Sequence, residues 1–283
     1  MPDRNTIAHF TAAFHDFASG RVTSHQMKLT DRFRDFFYPG SATLGVSPLD
    51  GTVQFYIKVN QLCPPQATVL DLGAGRGSQV EKASGWKRQL LLLRPNAARR
   101  IGCDLDGRVA QNPILDEAYV LDDRDFNRIP LSDCSIDLVL ADWVVEHLDD
   151  PRVSFQQAHR VLKPGGWFCA RTSNRRHYSY RIAQLLANSR FEAKILRKVQ
   201  PNREADDVFP KAYSANTAPQ LRRLLAAAGF DQILVHSYEP EPAYVGFHLF
   251  ALMAGVFYER LASLGFAPRA NLLVFARRSP SVR

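Results

Sequence analysis

The stretch Val69-Leu70-Asp71-Leu72-Gly73-Ala74-Gly75-Arg76-Gly77-Ser78-Gln79 constrains the rest of this chain more than any other. A short, mostly apolar run ends abruptly in three alternate glycines, the pattern of a buried strand that enters a tight turn. Glycine accepts positive φ and carries no Cβ, so such a turn brings main-chain amides against a bound group without a clash. The spacing is G-x-G-x-G rather than the dinucleotide pattern G-x-G-x-x-G. Some turns of this kind bind nothing, so the glycines alone do not identify a ligand.

Three further pieces lie downstream in order. Ile101-Gly102-Cys103-Asp104 reads as a second strand that ends in a carboxylate, a group able to accept two hydrogen bonds from a ribose diol. Asp125-Phe126 lies just ahead of Ile129-Pro130, and Ser135 to Asp142 makes another strand. His159 to Thr172 reads as a helix end, a tight Lys163-Pro164-Gly165-Gly166 turn and a fifth strand.

These four pieces, in this order over roughly residues 69–174, resemble the class I S-adenosylmethionine-dependent methyltransferases, in particular the branch that acts on small molecules. The resemblance implies a Rossmann-like, doubly wound α/β fold with a seven-stranded sheet, mostly parallel, whose last strand is antiparallel. It implies that Gly73, Ala74, Gly75 and Gly77 pack the methionine end of the cofactor. Asp104, followed by Leu105, would hold the ribose hydroxyls, and Asp125 with the Phe126 amide would meet the adenine. Asp71 matches the family's acidic residue before the first glycine, and Ala141 and Asp142 at the end of the fourth strand shape the methionine site. One departure concerns the interval from Gly77 to Asp104, which exceeds the roughly 20 residues usual in a nucleotide-binding βαβ unit; an insertion around 84–99 leaves the first crossover helix poorly defined.

At 283 residues and 46% hydrophobic, the chain has enough material for one elaborated domain or a domain with a cap. Cys63, Cys103, Cys134 and Cys169 show no C-x-x-C spacing, and three of them fall in or beside expected strands, which points to reduced thiols. The first twenty residues contain Asp3 and no continuous apolar core, unlike a secretory signal, so a cytoplasmic location is expected.

Apolar residues at roughly helical spacing, from Ile7 to Phe17 and from Met27 to Phe37, predict a helical N-terminal arm or lid over 1–60, with Thr30 and Asp31 starting the second helix. The arm reads either as packing on the sheet or as a cover that brings Tyr38 or Phe37 to the substrate wall. A helix over 53–62 then leads into a domain over 61–283. Asp150-Pro151 starts a helix and Pro164-Gly165-Gly166 stops one. Strands are expected near 68–72, 100–104, 118–121, 136–141 and 167–172, and Thr217 caps a helix before two last strands, 230–238 and 270–277. Insertions at 175–216 and 239–269 form a substrate cap.

Charge separates the core from its additions. Residues 69–174 hold 14 Lys or Arg against 15 Asp or Glu, so the overall +8 comes from elsewhere. Residues 175–203 alone carry Arg175, Arg176, Arg181, Arg190, Lys194, Arg197, Lys198 and Arg203 against Glu192. This segment reads as a solvated helical face, as a site for a phosphate- or carboxylate-bearing small molecule, or as an RNA contact. The stretch 244–267 is apolar, but its uninterrupted part, Leu249 to Tyr258, is well short of the roughly 20 residues that span a bilayer; it reads as a buried helix, as a greasy wall for a lipid-linked or aromatic substrate, or as a homodimer contact.

In the chemistry that the resemblance implies, an activated methyl group needs mainly an aligned nucleophile, and a hydroxyl or ammonium acceptor also needs a base. His147, just past the fourth strand, is the candidate base because its ordinary pKa near ~6.5 suits proton transfer at neutral pH; it reads equally as a structural histidine that orients the loop. Past the fifth strand, Arg171, Asn174, His177 and Tyr178 are candidate substrate contacts. No Asp or Asn followed by Pro-Pro-aromatic ends the fourth strand, no Pro-Cys pair is present, and no carboxylate cluster with metal spacing lies beyond the strands. The expectation is metal-free transfer to oxygen, nitrogen or carbon of a small acceptor. RNA modification and a catalytically silent interaction module are the alternatives.

Overall fold

The computed structural model describes residues 24–83, 85–93, 96–122, 125–186, 212–242 and 248–280. The expected helix over 7–17 and most of the Arg-rich stretch lie outside them.

Seven strands form one sheet: β1 (Ala67–Leu72), β2 (Ala97–Asp104), β3 (Glu117–Val120), β4 (Ile136–Asp142), β5 (Leu162–Ser173), β6 (Phe230–Tyr238) and β7 (Asn271–Arg278). Their order across the sheet is β3-β2-β1-β4-β5-β7-β6, and β7 runs antiparallel to both of its neighbours. The strands β1 to β5 pair parallel. The middle of the sheet is apolar on both faces, as a parallel sheet covered on two sides requires. On one face, Leu70, Leu72, Val139 and Phe168 pack with Phe155, Ala158 and Val161 of α5 (Pro151–Val161) and Leu221 and Leu225 of α7 (Ala218–Ala227). On the other, Val69, Leu138, Leu140 and Phe275 pack with Phe55, Tyr56 and Val59 of α2 (Gly51–Leu62).

Local chemistry sets the helix starts that flank the strand ends. Asp50 caps α2 by accepting from the Thr52 and Val53 amides, at 3.0 and 3.1 Å. Asp150 accepts from the Arg152 amide with Pro151 in the first turn of α5, and Thr217 caps α7. The long interval after the glycine turn contains two short helices, α3 (Ser78–Lys82) and α4 (Gly85–Leu91), in place of one crossover helix.

Two expectations are corrected. Helix α1 (Ser24–Phe37) starts well before Thr30 and Asp31, which lie in its middle; Thr30 is buried and Asp31 faces Arg34 one turn on at 3.6 Å. The apolar spacing continues upstream of Thr30, and packing of an apolar face outweighs a local capping preference. The Lys163-Pro164-Gly165-Gly166 turn is also no stop between elements, because α5 ends at Val161 and β5 begins at Leu162. The register jumps from Ile136 opposite Leu162 to Leu138 opposite Trp167, so the turn bulges out of β5.

All four cysteines are free, with Cys63, Cys103 and Cys169 buried and Cys134 exposed. Among the described residues no helix is long and apolar enough to cross a membrane. Helix α6 (Tyr178–Leu186) opens the first insertion and α8 (Leu249–Ser263) forms the described part of the second.

Candidate active site

The carboxyl ends of the parallel strands, where ligands of open α/β sheets bind, bring the candidate residues to one edge. After β1 the chain turns through Gly73, Gly75 and Gly77, all at positive φ (65°, 50° and 80°). Gly73 admits no side chain, since a Cβ there would lie 2.5 Å from a Val144 methyl, whereas a Cβ on Gly75 would meet only Asp104 Oδ2 at 4.0 Å. The Gly75 backbone therefore faces open space, as a cradle for a ligand does.

Asp104, at the tip of β2, ties this turn down. Its Oδ2 accepts from the Gly75 amide at 2.7 Å and its Oδ1 from the Asp106 amide at 2.9 Å. Each carboxylate oxygen keeps a lone pair for a further donor, which suits a vicinal diol. Leu105 is half-buried beside it. Ala74 and Gly75 are fixed from behind by Asn112, whose Nδ2 donates to both carbonyls at 3.1 and 3.0 Å. Sequence reasoning missed Asn112, since an asparagine before Pro113 marks a turn and not a partner 38 residues back.

Asp71 points into the protein. It pairs with Arg100 at 2.5 Å, both side chains buried, and burial raises its pKa against the opposing pull of Arg100. The pair joins β1 to β2. Asp142 and Arg171, expected to meet cofactor and substrate respectively, meet each other: Arg171 Nε and an Nη donate to the two Asp142 oxygens at 2.7 and 2.8 Å. The other Nη donates to Thr52 Oγ1 at 2.9 Å, and Tyr56 donates to Asp142 Oδ2 at 3.3 Å. The guanidinium lies 5.0 Å from the Trp143 ring centroid, and Trp143 itself holds φ at +62°. A bulky residue in that region stores strain, as residues at ligand sites often do. Ala141, one step back, is part of the core.

Beyond β4 a single 3₁₀ turn, Val145–His147, carries the candidate base. His147 is half-buried, with its amide bonded to the Val144 carbonyl at 2.9 Å. Its neighbour Glu146 is the residue that sequence reasoning overlooked. Glu146 is buried, accepts from Thr172 Oγ1 at 2.7 Å, and uses its carbonyl to bind the amides of Ala212 and Tyr213. Asn216, also buried, donates to Thr172 Oγ1 and the Ser173 carbonyl at 2.8 and 2.9 Å. Glutamate after a strand reads as a solvent residue, so nothing local in the sequence signals this.

The remaining candidates divide between the strand edge and the additions. Asp125 accepts from the Asp149 amide at 2.7 Å, and Phe126, at φ +51°, is buried in the core. Asn174 joins β5 to the start of β7 through the Arg269 carbonyl at 2.7 Å. His177 is buried with Nε2 3.4 Å from a Glu239 oxygen, and its ring stacks with Tyr178 and Tyr258 at 4.2 and 5.1 Å. Tyr38 is buried against α8, its hydroxyl donating to Glu259 at 3.3 Å, and burial raises its pKa. Asn174, His177 and Tyr38 thus fasten the arm and the insertions to each other and to the sheet.

Residues 70–170 match the family model of a methyltransferase domain. The chain is 30% identical over 122 residues to dimethylglycine N-methyltransferase of Parasynechococcus marenigrum, 42% of either chain. It is 27% identical over 125 residues to ubiquinone biosynthesis O-methyltransferase of Nitrobacter winogradskyi, 44% of this chain and 46% of that one. The matches span less than half the length of both relatives. Among solved structures, a SAM-dependent methyltransferase from Archaeoglobus fulgidus shares the fold with a TM-score of 0.51 at 15% identity, over 87% of this chain and 98% of that one.

Proposed function

We propose that the chain carries a class I S-adenosylmethionine-dependent methyltransferase domain and that it methylates oxygen, nitrogen or carbon of a small-molecule acceptor, anionic or lipid-linked, without a metal. The observation that supports this most is the meeting, at one sheet edge, of an open glycine turn with a carboxylate that keeps acceptor capacity, Asp104 on the Gly75 amide at 2.7 Å.

The residues present fit the cofactor. Asp104 would take the ribose hydroxyls, the turn from Gly73 to Gly77 the methionine end, and Asp125 with the Phe126 amide the adenine. When bound, the cofactor supplies an activated methyl group on a positively charged sulfur. The protein's own share is alignment and exclusion of water. Arg171 and Asp142 neutralise each other and hold the ends of β4 and β5 in register, and His147 accepts the acceptor's proton where it has one to lose. Of the arm and the two insertions, α1, α6 and α8 would cover the acceptor.

Both N- and O-methyltransferases occur among the relatives, which leaves the acceptor atom to experiment. Calorimetric titration with S-adenosylmethionine and S-adenosylhomocysteine, beside Asp104→Ala, tests the reading. Roughly micromolar binding, weakened at least about tenfold in the variant, is the loss expected for a charged hydrogen-bonding partner. Absence of binding to the unaltered protein overturns it.

A further inference from the structure

Helix α8 is apolar on nearly all sides, yet among the described residues only one side is covered. Leu252, Gly255, Val256, Glu259 and Ala262 are buried. At helical spacing on the opposite side, Met253 and Phe257 are exposed, Phe257 at 66%, and the line continues past the helix end to Leu264 (72%) and Phe266 (79%). A helix that is hydrophobic all round normally has partners all round. Among the described residues, the exposed side of α8 has no partner.

The charges near it indicate which partner. Glu259, the one acidic residue of α8, is turned inward onto Tyr38 and Ser263, so the exposed ionic group of the helix is Arg260. Tyr258 of α8 packs on Tyr178 of α6 at 4.5 Å, and around that junction Arg175, Arg176 and Arg181 are exposed with no carboxylate partner among the described residues. Ile182, one turn from Tyr178, is 48% exposed. An apolar stripe bordered by cations matches an anionic lipid surface, where the side chains enter the headgroup boundary and the guanidiniums meet phosphates. A second copy of the chain fits less well. It would bring the same cations together, and the few side chains of the stripe expose far less than the roughly 800 Å² per partner that a stable protein interface takes.

We propose that the exposed face of α8, with the arginines at the start of α6, docks the protein on anionic membrane surfaces, lying in the interface rather than crossing it. This does not rest on methyl transfer, and its test uses no cofactor. Full-length protein is floated with vesicles of phosphatidylglycerol and phosphatidylcholine, and with phosphatidylcholine alone. The expected result is flotation with the anionic vesicles only, weakened by salt. Phe257→Ser with Leu264→Ser lowers it at least tenfold, and so does Arg175→Ala with Arg181→Ala, while circular dichroism melts stay those of the unaltered protein. Equal flotation of the Phe257 and Leu264 variant overturns the proposal. So does no flotation at all, or a dimer in size-exclusion chromatography that the same two serines dissociate.

Discussion

Asp142 and Arg171 sit opposite each other in the pairing of β4 with β5 and close a two-point ion pair that is almost wholly buried. Burial opposes the Arg171 charge, yet the Asp142 carboxylate lifts its pKa above the ordinary arginine value. Arg171→Met leaves the carboxylate without its cation, so it is expected to lose about 3–5 kcal/mol, whereas Asp142→Leu with Arg171→Met together recovers most of that. Urea unfolding midpoints of the three variants check this. A double variant as unstable as the single one would show that Thr52, Tyr56 and Trp143, rather than the ion pair, depend on the arginine.

Asn112 gives a sharper separation of folding from binding. Its Nδ2 serves the Ala74 and Gly75 carbonyls on the face of the turn away from the open side. Asn112→Ala leaves both part-buried carbonyls short of a donor, a loss of about 1 kcal/mol. The turn should loosen where the cofactor is proposed to bind, so affinity for S-adenosylhomocysteine is expected to fall at least about tenfold by calorimetry, and Asn112→Asp, which keeps shape but not the donor, should behave like alanine. Unchanged affinity in both variants would make Asn112 a purely structural residue.

These two pairs also show where sequence reading reached and where it stopped. The strand that ends in Gly73, Gly75 and Gly77 was legible because apolar runs and positive-φ glycines are local signals, and Asp104 was legible because a carboxylate at a strand end has a position before it has a partner. Arg171 was expected just past the fifth strand but lies inside β5 near its end; its partner Asp142 is 29 residues away, and their meeting depends on sheet order. Asn112 and Glu146 escaped for the same reason: the Ala74 carbonyl lies 38 residues from Asn112 and Thr172 lies 26 from Glu146. The start of α1 was misread because Thr30 and Asp31 resemble a cap, and only the packing of the finished helix decides otherwise.

Acid is expected to destabilise the fold through two histidines. His159 lies edge-on to Phe230 at 5.1 Å, and burial, then Arg278, holds its pKa below the ordinary 6.5. Burial, then Lys58, does the same for His236. The unfolded chain therefore takes up protons that the folded one resists, so stability is full above the unfolded value of 6.5 and falls as pH drops through it toward the folded pKa. Thermal melts between about pH 8 and pH 5 should show a falling midpoint across the ordinary histidine range, less steep in His159→Gln. A midpoint that rises on acidification would contradict the sign.

Tyr38 and Glu259 join the N-terminal arm to the second insertion, and their bond is a test of whether those additions act as one cover. Tyr38→Phe removes the hydroxyl that donates to a buried carboxylate, leaving Ser263 Oγ and the Arg260 guanidinium near Glu259. The expected loss is about 1–3 kcal/mol. Because the bond lies away from β1 and β2, cofactor affinity should stay within about twofold, a change of under half a kcal/mol. Hydrogen exchange should then rise in both α1 and α8 and stay level in the sheet. Faster exchange in α1 alone would mean that the arm moves independently of the insertion it rests on.

His147 stands on the 3₁₀ turn Val145–His147, in which its neighbour Glu146 is clamped by Thr172 at 2.7 Å, a hold on the loop that does not pass through the imidazole. That separates the two roles a histidine has at this place. With an acceptor identified by screening, a base requires that His147→Gln lower kcat by about 10²–10⁴-fold and leave cofactor affinity and the melting midpoint nearly as they were. The acid limb of the pH–rate profile should disappear with the imidazole, as a base that titrates in the histidine range requires. A variant that instead loses cofactor affinity and melts earlier, with the limb intact, would place His147 among the residues that shape the loop.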